Sequence, residues 1–108
     1  MTDSIGPVLG QIPSGLFILT AKNSRGDETG MLASWVQQAA FEPPAITVAV
    51  NRQRYLHDWL KPGAAIALSQ VAESQKQLLG HFGRGFELGA PAFERIDVTR
   101  TPRGLAVL

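Results

Sequence analysis

Between Gly30 and Gln38 the chain reads Gly-Met-Leu-Ala-Ser-Trp-Val-Gln-Gln, a run able to hold a flat heterocycle. Extended backbone there would put Leu32, Ser34 and Val36 on one face, and Met31, Ala33, Trp35 and Gln37 on the other. The small side chains of Ala33 and Ser34 let a planar ligand approach the backbone. The N–H and C=O groups and the Ser34 hydroxyl would then meet the ring's polar edge, with Trp35 and the aliphatic residues supplying stacking area. The same residues also describe a half-buried strand with a core tryptophan. Residue types alone leave both readings open.

Charge adds a second clue. Glu42 is the only charged residue from Thr29 to Asn51, whereas Arg52 to Arg84 holds Arg52, Arg54, Lys61, Lys76 and Arg84 against Asp58 and Glu73. A buried, nearly neutral segment followed by a basic one suits a largely apolar ligand with an anionic end. It equally suits a core hairpin followed by solvated helices. Other chemistry is thinly represented. The chain has no cysteine, which excludes a disulfide framework, a thiolate metal site and a cysteine nucleophile. His57 and His81 stand alone, and a lone histidine beside a helix end reads first as structural or solvated. No Ser/His/Asp or paired-carboxylate constellation is apparent.

A length of 108 residues suits one domain with one core, assigned to residues 1–108. With 44% apolar and 18% charged residues the composition is that of a globular protein rather than a disordered one. A formal charge of +1 gives no bulk footprint for nucleic acid. No apolar run approaches the roughly 20 residues of a membrane helix, and the start Met1-Thr2-Asp3-Ser4 is unlike a signal peptide. A cytoplasmic, membrane-free protein is the expectation.

The elements that must position these residues follow from local pattern. Leu16–Thr20 is an apolar run entered through Pro13-Ser14-Gly15 and reads as a buried strand. Lys22–Thr29 reads as a polar hairpin loop, and Met31–Ala40 as the returning second strand. Phe41-Glu42-Pro43-Pro44 breaks that strand, because proline fixes φ, lacks an N–H and keeps its predecessor extended. Ala45–Val50 is a third strand. Tyr55, Leu56, Trp59 and Leu60 share one helical face, ended by Lys61-Pro62-Gly63. Ala64–Leu68 reads as a fourth strand and Glu73–Phe82 as a helix, with Ser74 and Gln77 forming a capping box. Gly83, Gly85, Gly89 and Pro91 make a flexible stretch, and Ile96–Val98 and Leu105–Leu108 look like further strand. Connections too short for crossover helices make the first three strands antiparallel and the class α+β, mainly β.

The run GMLASWVQQAAFEPPAITVAV (Gly30 to Val50) resembles the signature of the flavin reductase-like family, whose fold is an FMN-binding split β-barrel. Ile12–Thr20 resembles that family's first strand, and Ala72–Gly83 its second helix and following turn. The likeness covers almost the whole chain and is nearest to flavin reductase modules found alone or fused to flavodiiron-type proteins. The resemblance implies a split barrel with two short inserted helices. It implies FMN, or in some members FAD, near a homodimer interface, with NAD(P)H as hydride donor. The flavin ring would lie along Met31, Leu32, Ala33, Ser34, Trp35, Val36 and Gln37. The phosphate would fall at Val50, Asn51, Arg52 and Arg54, where relatives often carry Ser or Thr instead of arginine. Arginine suits that role because it can grip phosphate through two parallel hydrogen bonds, and free N–H groups at the following helix start would assist. Phe82, Gly83 and Arg84 would close over the flavin, with Phe82 alternatively the core end of its helix.

The family also implies about 40–50 further residues, within the usual domain size, holding a Gly-Asp-His segment near the nicotinamide and a closing strand. Without them a strand edge stays open, and the barrel is expected to be incomplete, with flavin binding and turnover impaired. The expected function is an FMN-binding flavin reductase module that passes electrons to free flavin, a partner oxygenase or a flavodiiron-type protein. Its rivals are a noncatalytic FMN relay, a structural dimerisation barrel, and, ranked lower, the pyridoxamine-phosphate oxidase branch of split barrels.

Overall fold

The computed structural model describes residues 2–83 and 85–108, with side chains from residue 5 onward. In chain order the elements are α1 (Thr2–Leu9), β1 (Phe17–Lys22), β2 (Glu28–Ala33), β3 (Val36–Ala40), β4 (Ala45–Val48), α2 (Tyr55–Trp59) and β5 (Ile66–Gln70). A 3-10 turn (Glu73–Gln75), α3 (Gln77–Gly83), β6 (Thr99–Arg100) and β7 (Ala106–Val107) follow.

β1 is the centre of a three-stranded antiparallel sheet in the order β2-β1-β5. It is covered on both faces, which is why Phe17–Ala21 reads as an unbroken apolar run rather than an alternating one. Ile18 packs with Leu78 and Phe82 of α3 and with Phe93 on one face. Leu19 and Ala21 pack with Met31, Ala33 and Leu56 of α2 on the other. Gly30 sits opposite Thr20 in the register. A Cβ there would come within 2.9 Å of the Phe82 ring and 3.1 Å of Phe93, so the missing side chain admits both rings against the backbone. The β1–β2 turn is closed by Asn23, whose Oδ1 accepts the N–H groups of Arg25 and Asp27 at 3.0 Å while its Nδ2 donates to Asp27.

Several expectations change. The second strand is not continuous from Met31 to Ala40: it leaves the ladder at Ala33, and Ser34 and Trp35 join two separate sheets. Those two off-ladder residues reset the alternation, so Val36 packs with the Met31 and Ala33 cluster instead of sharing a face with Leu32. The neutral segment is buried only as far as β2. The β3–β4 hairpin is largely open to solvent, with Trp35 73%, Phe41 83% and Ile46 50% exposed. The first three predicted strands are nonetheless antiparallel, joined within β3–β4 by the Phe41–Pro44 turn, whose Glu42–Pro43 bond is cis.

The predicted helix at Glu73–Phe82 is split. Gln75 Oε1 accepts the Ala72 N–H, and the Gln75 N–H bonds the Ala72 carbonyl, both at 2.9 Å, which tightens the first turn and replaces the expected Ser74–Gln77 box. α1 was not anticipated, and Ile96–Val98 lies outside the strands. Among the described residues the strands form three sheets, of three, two and two strands. The architecture is mainly β with short helices. No described helix is long and apolar enough to cross a membrane.

Candidate functional site

Two clefts of about 430 and 450 Å³ run along the α2 side of β2 and share Met31, Asn51 and Arg54, so they form one composite groove. The first is bounded by Thr29–Met31, by Asn51 and Gln53–Leu56, and by Gly85–Glu87. The second is bounded by Met31–Trp35 and Ala49–Asn51. Their two sides are tied by the Ala49 N–H, which donates to the Trp35 carbonyl at 3.0 Å and adds a rung beyond the end of β4.

The wall between β4 and α2 is a tight turn built by Asn51. Its Oδ1 accepts the Gln53 N–H at 2.9 Å, and its carbonyl accepts the Arg54 N–H at 3.0 Å. These two N–H groups are used within the turn, and at the start of α2 the His57 N–H donates to the Arg54 carbonyl at 3.0 Å. Leu56, 2% exposed, anchors α2 in the core under β1, and this fixes Arg54 and Tyr55 at the mouth of the groove. The Tyr55 hydroxyl lies 3.1 Å from Thr29 Oγ1 and 3.4 Å from the Glu87 carbonyl. It bridges all three sides of the first cleft.

Arg54 is half-buried, and among the described residues no carboxylate lies within ion-pair distance of it. Its guanidinium rests against Gly85, where a Cβ would collide with Nη1. Gly85 also has φ +77°, a conformation in which side chains are strained. The sequence thus keeps a space open for the arginine head by two independent means. Glu87 borders the same cleft and gives it a mixed charge at the outer rim. The result is a groove with small residues and accessible backbone at one end, and at the other a half-buried cation without a counter-ion among the described residues. Such a groove can hold an elongated ligand with a flat apolar body and an anionic end.

Of the residues expected at the cofactor, Met31, Leu32, Ala33, Ser34, Trp35, Val50, Asn51 and Arg54 line the composite groove. Val36, Gln37, Arg52, Phe82 and Gly83 line neither cleft. Phe82 is fully enclosed in the core on the opposite face of the sheet, so its role here is packing. Gln37, Arg52 and Gly83 are exposed, and Arg84 lies outside the described residues. Gly85 and Phe86 stand where Phe82 and Gly83 were expected.

Sequence reasoning passed over Thr29, Tyr55, Gly85, Phe86 and Glu87. Tyr55 carried a signal, a polar end on an otherwise apolar helical face, but was assigned to packing alone. His81 is structural: its Nε2 is 2.7 Å from the Ala92 carbonyl, an acceptor only, so the nitrogen carries the proton and donates. Its ring also packs edge-on against Phe82. No cluster of metal-binding side chains occurs among the described residues.

Comparison with known proteins gives this geometry a family. The flavin reductase-like domain matches residues 9–108. The chain belongs to the flavin reductase-like family. Diflavin flavoprotein A 1 of Synechocystis sp. is 37% identical over 102 residues, 93% of this chain but 18% of that protein. The NADH:FAD oxidoreductase SgcE6 of Streptomyces globisporus C-1027 superposes with a TM-score of 0.83 at 22% identity, covering 96% of this chain and 61% of the other. The same oxidoreductase in complex with NAD and FAD fragments superposes at 0.79 with 20% identity, covering 98% and 62%. The fold is therefore that of flavin reductases, while the chain spans under a fifth of the length of the diflavin relative and about three fifths of the solved one.

Proposed function

We propose that this domain binds FMN in the composite groove and works as an NAD(P)H-dependent flavin oxidoreductase module, with FAD as the alternative flavin. The observation that carries this reading is the join between the two clefts at Met31, Asn51 and Arg54. It sets a ring-sized, backbone-lined space beside an arginine held free of any carboxylate among the described residues. Arg54 would grip the phosphate, with the Asn51 turn beside it. Backbone groups of Met31–Ser34 would meet the polar edge of the ring, and Trp35 would cover its apolar part. A bound flavin supplies the hydride and electron chemistry, so no acid–base pair is required of the chain. The residues bind, orient and exclude water.

Support also comes from family membership and from the solved oxidoreductase of the same fold, whose complex contains NAD and FAD fragments. The reading extends to a cytoplasmic homodimer. A second copy would cover the exposed Trp35, Phe41 and Ile46 in and beside the β3–β4 hairpin. Electrons would pass to free flavin, a partner oxygenase or a flavodiiron-type protein. The test is anaerobic addition of NADH or NADPH to FMN-reconstituted protein. Bleaching of the flavin absorbance is expected. Bound flavin that stays oxidised would leave a relay, and failure to bind FMN at all would leave a structural barrel.

A further inference from the structure

A third cavity, of about 560 Å³, lies at the C-terminal end of α2 and shares no lining residue with the groove. Four of the chain's ten basic side chains border it: Lys22, Arg25, Lys61 and Arg103. Asp58 is the one acid among the lining residues, and its carboxylate lies 3.8 Å from His57 Nδ1. The next acid, Asp27, is held by the Asn23 amide in the β1–β2 turn. Among the described residues none of the four cations has a carboxylate within ion-pair distance.

Three of the four cations come from separate turns, each fixed by its own hydrogen bonds, and Lys22 ends β1. Asn23 closes the turn carrying Arg25. The Ala64 N–H bonds the Lys61 carbonyl at 2.9 Å across Gly63, whose φ is +85°. The Gly104 N–H bonds the Thr101 carbonyl at 2.8 Å, and Thr101 Oγ1 accepts the Leu105 N–H, holding the turn that bears Arg103. Lys22 reaches that turn: its Nζ is 3.0 Å from where a Cβ of Gly104 would stand. Gathering like charges on rigid supports around a concavity raises the local positive potential and opposes folding unless an anion offsets it. Trp59, half-buried at the edge, adds one apolar wall.

We infer that this cavity is a second anion site, taking a small polyanion with two or more phosphate or carboxylate groups. The concavity favours a compact ligand over a flat protein surface, and three separately anchored turns favour several anionic groups over one. The site is distinct from the flavin groove and stands whether or not the groove holds FMN.

Pyrophosphate is the probe, titrated calorimetrically into the full chain at low salt, with orthophosphate alongside. Pyrophosphate should bind at least about tenfold tighter than orthophosphate, and added sodium chloride should weaken it steeply because the cations are near the surface. Lys61→Ala with Arg103→Ala should weaken pyrophosphate by a further tenfold or more, while Lys76→Ala, at a cation that borders neither this cavity nor the groove, leaves it unchanged. If the double variant does not fold, a Trp35→Phe protein isolates Trp59, whose emission should respond to pyrophosphate. The inference is overturned by absence of pyrophosphate binding at millimolar concentration, by equal binding in the double variant, or by loss of binding in Lys76→Ala. An unresponsive Trp59, or binding only to an acidic polypeptide such as poly-glutamate, overturns it as well.

Discussion

Replacing Gly85 with alanine tests the groove through two quantities that should separate. At φ +77° an L side chain is strained by about 1–2 kcal/mol, offset by about 0.4–1 kcal/mol because alanine restricts the unfolded chain. The expected net loss for Gly85→Ala is about 0.5–1.5 kcal/mol, with Tm falling about 4–8 °C per kcal/mol in a domain near this size. The new methyl would also occupy the position of the Arg54 guanidinium, and the arginine must swing away. A charge-assisted hydrogen bond contributes about 1.5–3 kcal/mol, so Arg54→Ala should raise the FMN Kd about 10- to 150-fold with little change in apo melting. Gly85→Ala should reproduce part of that loss. In the double variant the stability cost should persist, since the backbone strain remains. The binding cost should collapse to that of Arg54→Ala alone, because no guanidinium is left to displace. FMN titration by fluorescence quenching and thermal melting of the four proteins give the cycle. Refutation would be a Gly85→Ala effect on Kd that is the same factor with and without Arg54.

Gly30→Ala should destabilise by about 1–3 kcal/mol in urea unfolding, since its Cβ would press on Phe82 and Phe93 in a close-packed core. Tyr55→Phe should cost about 0.5–1.5 kcal/mol by the same measure, having left buried Thr29 without its partner across the cleft. Thr20→Val should stabilise by about 1 kcal/mol, because the enclosed Thr20 hydroxyl has no partner among the described residues and an apolar group of the same shape loses nothing. Phe41→Asp should shift sedimentation toward the monomer if the exposed hairpin joins two copies; an unchanged mass at all concentrations would remove that interface.

What could be read from the chain, and what could not, divides along the range of the interactions involved. The β1 run, the Pro-Pro turn and α2 declared themselves because each depends on residues within a few positions of one another. The end of β2 at Ala33 did not, since strand-compatible residues continue through Val36 and nothing in the alternation marks where the ladder stops. Trp35 was identified as a stacking surface, and the groove does include it, although the strand expected to carry it is broken there. Phe82 was ambiguous between core and site until the opposite glycine, Gly30, showed where its ring is packed. Gly85 read only as flexibility. Its use as a space for Arg54 depends on a residue 31 positions away, which no local pattern carries. The basic cavity has the same origin, in three turns whose meeting is set by the sheet.

α2 is a single turn of helix, yet a different cavity borders each of its ends. Tyr55 and Leu56 face the groove, while Asp58 and Trp59 border the basic cavity. The Tyr55 and Trp59 rings, one turn apart on the same helical face, link the two ends, with centroids 5.3 Å apart. A helix this short has little stiffness of its own and takes its pose from Leu56 beneath it. A shift of α2 by an occupant at one end would therefore move the residues that border the other. Thermodynamic reciprocity makes the trade symmetrical: whatever factor a polyanion imposes on flavin affinity, flavin must impose on the polyanion. Five residues would then set the exchange rate between two ligands that never meet.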